Sequence, residues 1–183
     1  MSTNISKMSK GQLRMFLRRF LLEETPPGSI LSYTKLNNNN GSPETVEAPA
    51  SYTTISARHM VSFRAPFTGN VEINFKGFYA CNETTDHRGA LRLGLSDAAS
   101  FNSLGNKYKK TVWNADDEDD VIVDFSWVLT GLSPGTVYNY WIGHMADNAG
   151  DYFHAYGGAS TNQSPDCIIR AISLPSTILT DIT

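Results

Sequence analysis

The stretch from Asp120 to His144, DVIVDFSWVLTGLSPGTVYNYWIGH, constrains this chain more than any other. Val121, Val123, Phe125, Trp127 and Leu129 share one parity, while Asp124, Ser126 and Thr130 take the other. That period of two is the pattern of a half-buried strand. Gly131 ends the run, and Ser133-Pro134-Gly135-Thr136 brings a proline that presets φ and a glycine that reaches positive φ. Val137 to Ile142 follows as an aromatic, β-prone return strand. The pattern predicts a hairpin with Trp127 buried beneath its turn. None of these residues is arranged for chemistry, so the best-formed part of the sequence is scaffold.

At 183 residues and 40% hydrophobic content, the chain can bury one core, which predicts one domain with an appendage. A formal charge of -3 argues against a nucleic-acid binder. The charge is unevenly placed: residues 1–24 hold five basic residues against Glu23 and Glu24, and the remainder is acidic. Arginines interrupt the apolar residues there, so neither a signal-peptide core nor a membrane span is expected. Cys81 and Cys167 sit far apart with no metal-ligand spacing and are expected as reduced, partly buried thiols.

Ser9 with Gln12 three residues later reads as a capping box opening a helix over about 9–24. Leu13, Phe16, Leu17, Phe20 and Leu21 recur at helical spacing and form one apolar stripe, with Arg14, Arg18 and Arg19 largely off it. Thr25-Pro26-Pro27-Gly28 stops the helix. An extended segment over 29–36 and an asparagine-rich linker complete an N-terminal attachment segment, 1–50. Eight or so short strands with turn signals between them fill a β-domain over 51–175, and 176–183 is a tail. This organisation predicts an all-β sandwich or jelly roll preceded by one short amphipathic helix.

The search for chemistry yields little. His59, His87, His144 and His154 show no paired-ligand spacing, although His144 and His154 are placed to face each other across neighbouring strands. No serine lies in a nucleophile elbow, and Cys81 lacks an evident activating partner. The run Asp116 to Asp120 has five adjacent acidic residues that repel one another and reads as a hydrated loop. Catalytic residues, metals and cofactors are therefore all expected to be absent. Tyr152, Phe153 and Tyr156 are the candidate ligand-binding aromatics, since flat rings stack on sugar faces. Apolar residues on both parities of 71–79, 121–130 and 137–145 leave Phe78, Ile122, Val128 and one of Trp141 or Ile142 surplus to a single core. That surplus predicts a trimer.

The segments VSFRAPFTGNVEINFKGFY (61–79), LRLGLSDA (91–98), 113–144, YGG (156–158) and PDCIIRAISLP (165–175) together resemble a β-module of tailed-bacteriophage structural proteins. The module occurs in head fibres, decoration proteins and tail-fibre tips, and is similar to the trimeric jelly roll of tumour necrosis factor and the complement heads. The resemblance implies a homotrimeric, mainly antiparallel β protein of the virion, assembled in the bacterial host cytoplasm. The resemblance covers roughly residues 51–175 and stops short of the N-terminal helix; the amphipathic stripe itself, with Leu13, Arg14, Phe16, Leu17, Arg18, Phe20 and Leu21, is expected to dock on a phage capsid or tail protein. Neither nucleic acid nor membrane insertion comes with the resemblance, and a host-surface glycan is the alternative ligand of a fibre tip. Gly131 to Tyr138 also resembles the corner of fibronectin type III domains, which implies that the Tyr138 hydroxyl returns to upstream backbone.

Overall fold

A computed structural model describes residues 9–15, 25–36, 45–81, 89–101, 108–115, 121–146, 153–156 and 166–176 of the chain. These residues are mainly β, in antiparallel strands: β1 (Ile30–Leu36), β2 (Thr45–Glu47), β3 (Thr53–Thr54), β4 (Met60–Arg64), β5 (Val71–Cys81), β6 (Gly89–Ser96), β7 (Tyr108–Ala115), β8 (Val121–Leu129), β9 (Val137–Ala146), β10 (Phe153–Tyr156) and β11 (Cys167–Ser173). Six of them make one sheet and five the other.

The registers show how each sheet is laid out. In the larger sheet, β8 pairs with residues 71–79 of β5, while β11 pairs with 71–76 and β10 with 78–81. A strand has two edges, so β11 and β10 must lie end to end on the edge opposite β8. Outside them come β1, paired to β11, and β2, paired to β10. The smaller sheet repeats this plan around β9. There β6 lies on one edge with β7 beyond it, and β4 and β3 share the other edge.

Alternation then decides the core. Val71, Ile73, Phe75 and Tyr79 of β5, Val123, Trp127 and Leu129 of β8, and Cys167, Ile169 and Ala171 of β11 are buried. They belong to the same cluster as Leu91, Leu93 and Leu95 of β6 and Tyr140 and Ile142 of β9. Each sheet thus turns one parity inward, and both contribute to one core.

The hairpin expected over 121–142 does not form. β8 and β9 are not a hairpin: β8 pairs with β5 in the larger sheet, and β9 with β3, β4 and β6 in the smaller one. The turn residues were read correctly, since Gly131 and Gly135 have φ of 72° and 77°. Their job is different, for residues 130–136 carry the chain from one sheet to the other. Periodicity fixes which face of a strand is buried, and it is silent on which strand lies alongside.

A second crossing, residues 65–70 between β4 and β5, runs beside the first and is bonded to it. Ala65 N–H donates to Thr136 O (2.8 Å), Gly135 N–H to Ala65 O (2.9 Å) and Leu132 N–H to Gly69 O (3.0 Å). Gly69, with φ of 66°, lies so close that a Cβ there would stand 2.6 Å from Leu132 O. The Tyr138 hydroxyl accepts a hydrogen bond from Ser133 N–H at 3.0 Å, the local corner that the fibronectin resemblance implies.

Two further details bear on domain organisation. β1 and β2 lie before residue 51, yet both are integral to the larger sheet, so the sheet begins in what reads as attachment segment and linker. Residues 10–15 are helical, and the capping box is present: Ser9 N–H donates to Gln12 Oε1 (3.0 Å) and Gln12 N–H to Ser9 Oγ (3.2 Å). The rest of the expected helix lies outside the described residues.

Trp127 is buried in the core beside Phe125, with ring centroids 6.4 Å apart. We expect Trp127→Ala to cost about 3–5 kcal/mol in chemical denaturation, as loss of a large buried aromatic does. Tyr138→Phe, which removes only the corner bond, should cost about 1 kcal/mol in the same measurement.

Candidate functional site

The feature most open to a partner is the outer face of the larger sheet. Its rows follow from the register. Ile172, Glu72 and Val128 lie abreast, then Arg170, Asn74 and Ser126, then Ile168, Lys76 and Asp124, and finally Phe78 and Ile122. β1 adds Ile30 beside Ile172 and Tyr33 beside Arg170. On this face Ile30 is 57% exposed, Tyr33 50%, Ile122 54% and Val128 49%. Four large apolar side chains therefore meet solvent on one surface, spread over three strand spacings, or ~14 Å. Ile122 and Val128 are surplus to the core, as their parity indicates. Phe78 is half-buried, Ile142 is in the core, and Trp141 is half-buried on the outer side of the smaller sheet.

A polar belt crosses the middle of this face. The Asn74 amide donates to Asp124 Oδ1 (2.6 Å), Ser126 Oγ (3.2 Å) and Phe125 O (3.3 Å), and its Oδ1 accepts from Arg170 Nε (3.0 Å). The Ser126 hydroxyl in turn donates to Glu72. Asn74 is only 6% exposed, and these partners satisfy it. The belt ties β11, β5 and β8 together and holds the apolar side chains around it on a fixed frame.

A second cluster lies between the sheets. Tyr79 Oη is 3.3 Å from His144 Nδ1, with ring centroids 5.9 Å apart, and Ser56 Oγ is 2.8 Å from His59 Nδ1. Burial drives His144 down to about 4. Burial, with repulsion from His144 and Arg58, drives His59 down to about 3. Burial likewise raises Tyr79, and it pushes the free Cys167 thiol up to about 12 with help from Asp166. Every member is neutral at pH 7, so the cluster offers neither a thiolate nor a charged acid.

The residues singled out from sequence fare unevenly. Leu13 and Arg14 lie in the helical turn, Leu13 half-buried and Arg14 exposed. Phe16, Leu17, Arg18, Phe20, Leu21 and Tyr152 are outside the described residues, as are the acidic run 116–120 and His87. Phe153 and Tyr156 are the first and last residues of β10 and pair with Cys81 and Phe78 through the backbone. His144 and His154 do not lie on neighbouring strands: β9 belongs to the smaller sheet and β10 to the larger. Among the described residues, no group of three His, Cys, Asp or Glu side chains could hold a metal ion. Among them, too, no helix is long and apolar enough to cross a membrane.

One arrangement was invisible in the sequence. Gly94 and Gly143 lie opposite each other on β6 and β9, facing outward from the smaller sheet. Tyr52 and Phe101 stack with ring centroids 5.8 Å apart and cover that pair, and Tyr52 Oη donates to Leu93 O at 3.3 Å. A Cβ on Gly143 would run into Phe101 Cζ and stand 2.6 Å from Thr53 O. Phe101 is half-buried against this floor.

No family model matches the chain, and no curated protein matches it. Among the solved structures similar to it at low level are two of unrelated description. One is a CocE/NonD family hydrolase from Staphylococcus aureus, with a TM-score of 0.36 and 15% identity over 81% of this chain. The chain spans 37% of that hydrolase. The other is the CBM22-1 xylan-binding domain of Xyn10C from Paenibacillus barcinonensis, with a TM-score of 0.34 and 10% identity. It covers 83% of this chain and 100% of the xylan-binding domain. Scores at this level carry no functional argument.

The glycine floor generates its own test. Gly143→Ala should cost on the order of 1–3 kcal/mol, because Phe101 and the Thr53 backbone must both shift. Gly94→Ala should cost less, since only the rings of Tyr52 and Phe101 stand within 3.0 Å of its added methyl. Paired denaturation curves would show that order.

Proposed function

We propose that this chain is a non-enzymatic structural component of a bacteriophage particle, a decoration or fibre protein displayed as a homotrimer of jelly-roll domains. The observation that carries the reading is the outer face of the larger sheet, where Ile30, Tyr33, Ile122 and Val128 are exposed together around an ordered polar belt. Apolar groups of this size in one plane are costly in water, and exposed apolar side chains held on both sides of an ordered polar belt suit a protein contact. A second copy of the chain is the occupant we favour. The face carries both signs of charge, with Arg170 and Lys76 near Glu72 and Asp124, so it is electrostatically self-complementary. β8 also has one paired edge among the described residues, and it stands at the border of the sheet.

The sequence resemblance to phage β-modules supports placing such a trimer on a virion. Attachment falls to the N-terminal segment, whose apolar stripe and arginines suit an acidic shell surface. Three such segments on one trimer add avidity.

Light scattering at micromolar concentration tests the oligomer. We expect wild type to run as a trimer and the double substitution Ile122→Glu, Val128→Lys to run as a monomer with nearly unchanged melting temperature. A wild-type monomer, or a trimer indifferent to both changes, counts against this face. Deleting residues 1–24 tests attachment separately: the folded trimer should no longer sediment with particles.

A further inference from the structure

We infer that His59 and His144 form an acid-operated latch, which clamps residues 49–59 against the edge of β9 at neutral pH and releases them when the imidazoles are protonated. The clamp is visible in the backbone. Ala146 N–H donates to Pro49 O (2.9 Å), Thr53 and Thr54 pair with His144 and Gly143, and Ile55 N–H donates to Ile142 O (3.1 Å). After the turn, Ile142 N–H donates to His59 O (2.9 Å), and β4 continues along the same edge from Met60. Residues 49–64 thus form a strap along β9, interrupted at 55–59 by a short turn.

The two imidazoles sit beneath that interruption. His59 is opposite Ile142 and His144 lies two residues further along, so they are diagonal neighbours on the inward side. Both are fully buried, and each has one satisfied nitrogen, facing Ser56 Oγ or Tyr79 Oη. The Nε2 atom of each has no hydrogen-bond partner among the described residues. A proton added to either ring would place a charge in an apolar core with nothing to receive it.

The surrounding groups offer no relief. β5 presents the neutral Tyr79 and β11 the neutral Cys167, while the turn presents Ser56 and the repelling Arg58. No carboxylate acts on either ring among the described residues. The sign follows from linkage. The folded state holds both imidazoles neutral, so the clamp is at full strength above their ordinary value near 6.5. It weakens as pH falls from there towards about 4 for His144 and about 3 for His59. The weakest place to yield is the 55–59 turn, because the strap lies at the border of the sheet and its release hydrates both rings.

Amide hydrogen exchange on the full chain tests the latch. With free imidazoles titrating near 6.5, lowering the pH from about 7.5 to about 5 raises the opening constant about 30-fold per histidine and about 1,000-fold for both. We expect protection of the Ile55 and Ile142 amides, corrected for intrinsic exchange, to fall by that factor in wild type. His59→Gln and His144→Gln should each reduce the fall to about 30-fold, and the double variant should show little pH dependence. The readout is the slope with pH, which survives if a variant is simply less stable. Wild-type protection that is flat with pH, or variants that keep the wild-type slope, would overturn the proposal. An equal loss at the Ile73 amide on β5 would also overturn it, because the transition would then be global unfolding.

Discussion

The bonded pair of crossings at 65–70 and 130–136 is the constraint on which this architecture rests. Each carries the chain between sheets, in opposite directions, and three backbone hydrogen bonds join them. Ala65 and Gly69 are buried, so their backbone groups need partners, and the 130–136 segment supplies them for Ala65 N–H, Ala65 O and Gly69 O. The pairing also sets the distance between the sheets at that end. Trp127 and Leu129 of β8, Val71 of β5, and Phe63 and Tyr140 of the smaller sheet all belong to the core that the two sheets enclose. The Tyr138 hydroxyl on Ser133 N–H braces the exit into β9.

Holding the inner faces in this way determines what the outer faces present. Because β8 must turn Val123, Trp127 and Leu129 inward, Ile122 and Val128 have no choice but to point outward. On the smaller sheet the same alternation turns Gly94 and Gly143 outward, where Tyr52 and Phe101 cover them. Among the described residues the two sheets thus differ: the smaller shields its central glycine pair with Tyr52 and Phe101 and exposes one large apolar side chain, Val137, whereas the larger leaves four in solvent. That asymmetry is the physical basis for assigning assembly to the larger sheet.

Much of this was legible in the sequence, for reasons that are local. Alternation along 121–129 identified the buried parity and Trp127, Gly131 and Gly135 marked the turn, and Ser9 with Gln12 announced a capping box. What failed was non-local. The 130–136 segment looked like a hairpin loop because the strands on either side are consecutive, and nothing in their residues says that they pair elsewhere. Residues 45–47 were assigned to a linker because three residues are too few to show a period, yet they pair with β10. The histidine pairing was misjudged for the same reason, with His144 meeting Tyr79 and not His154. The glycine floor carried no signal at all, since its two halves are 49 residues apart and gain meaning only in register.

The most direct test is an experimental structure of the assembled protein at side-chain resolution, read for what covers β8. We expect the outer face of the larger sheet to be buried, with Ile122 and Val128 enclosed by another copy of the chain and the Asn74 belt still intact between them. An assembly in which that face stands in solvent while some other surface makes the contacts would contradict this assignment.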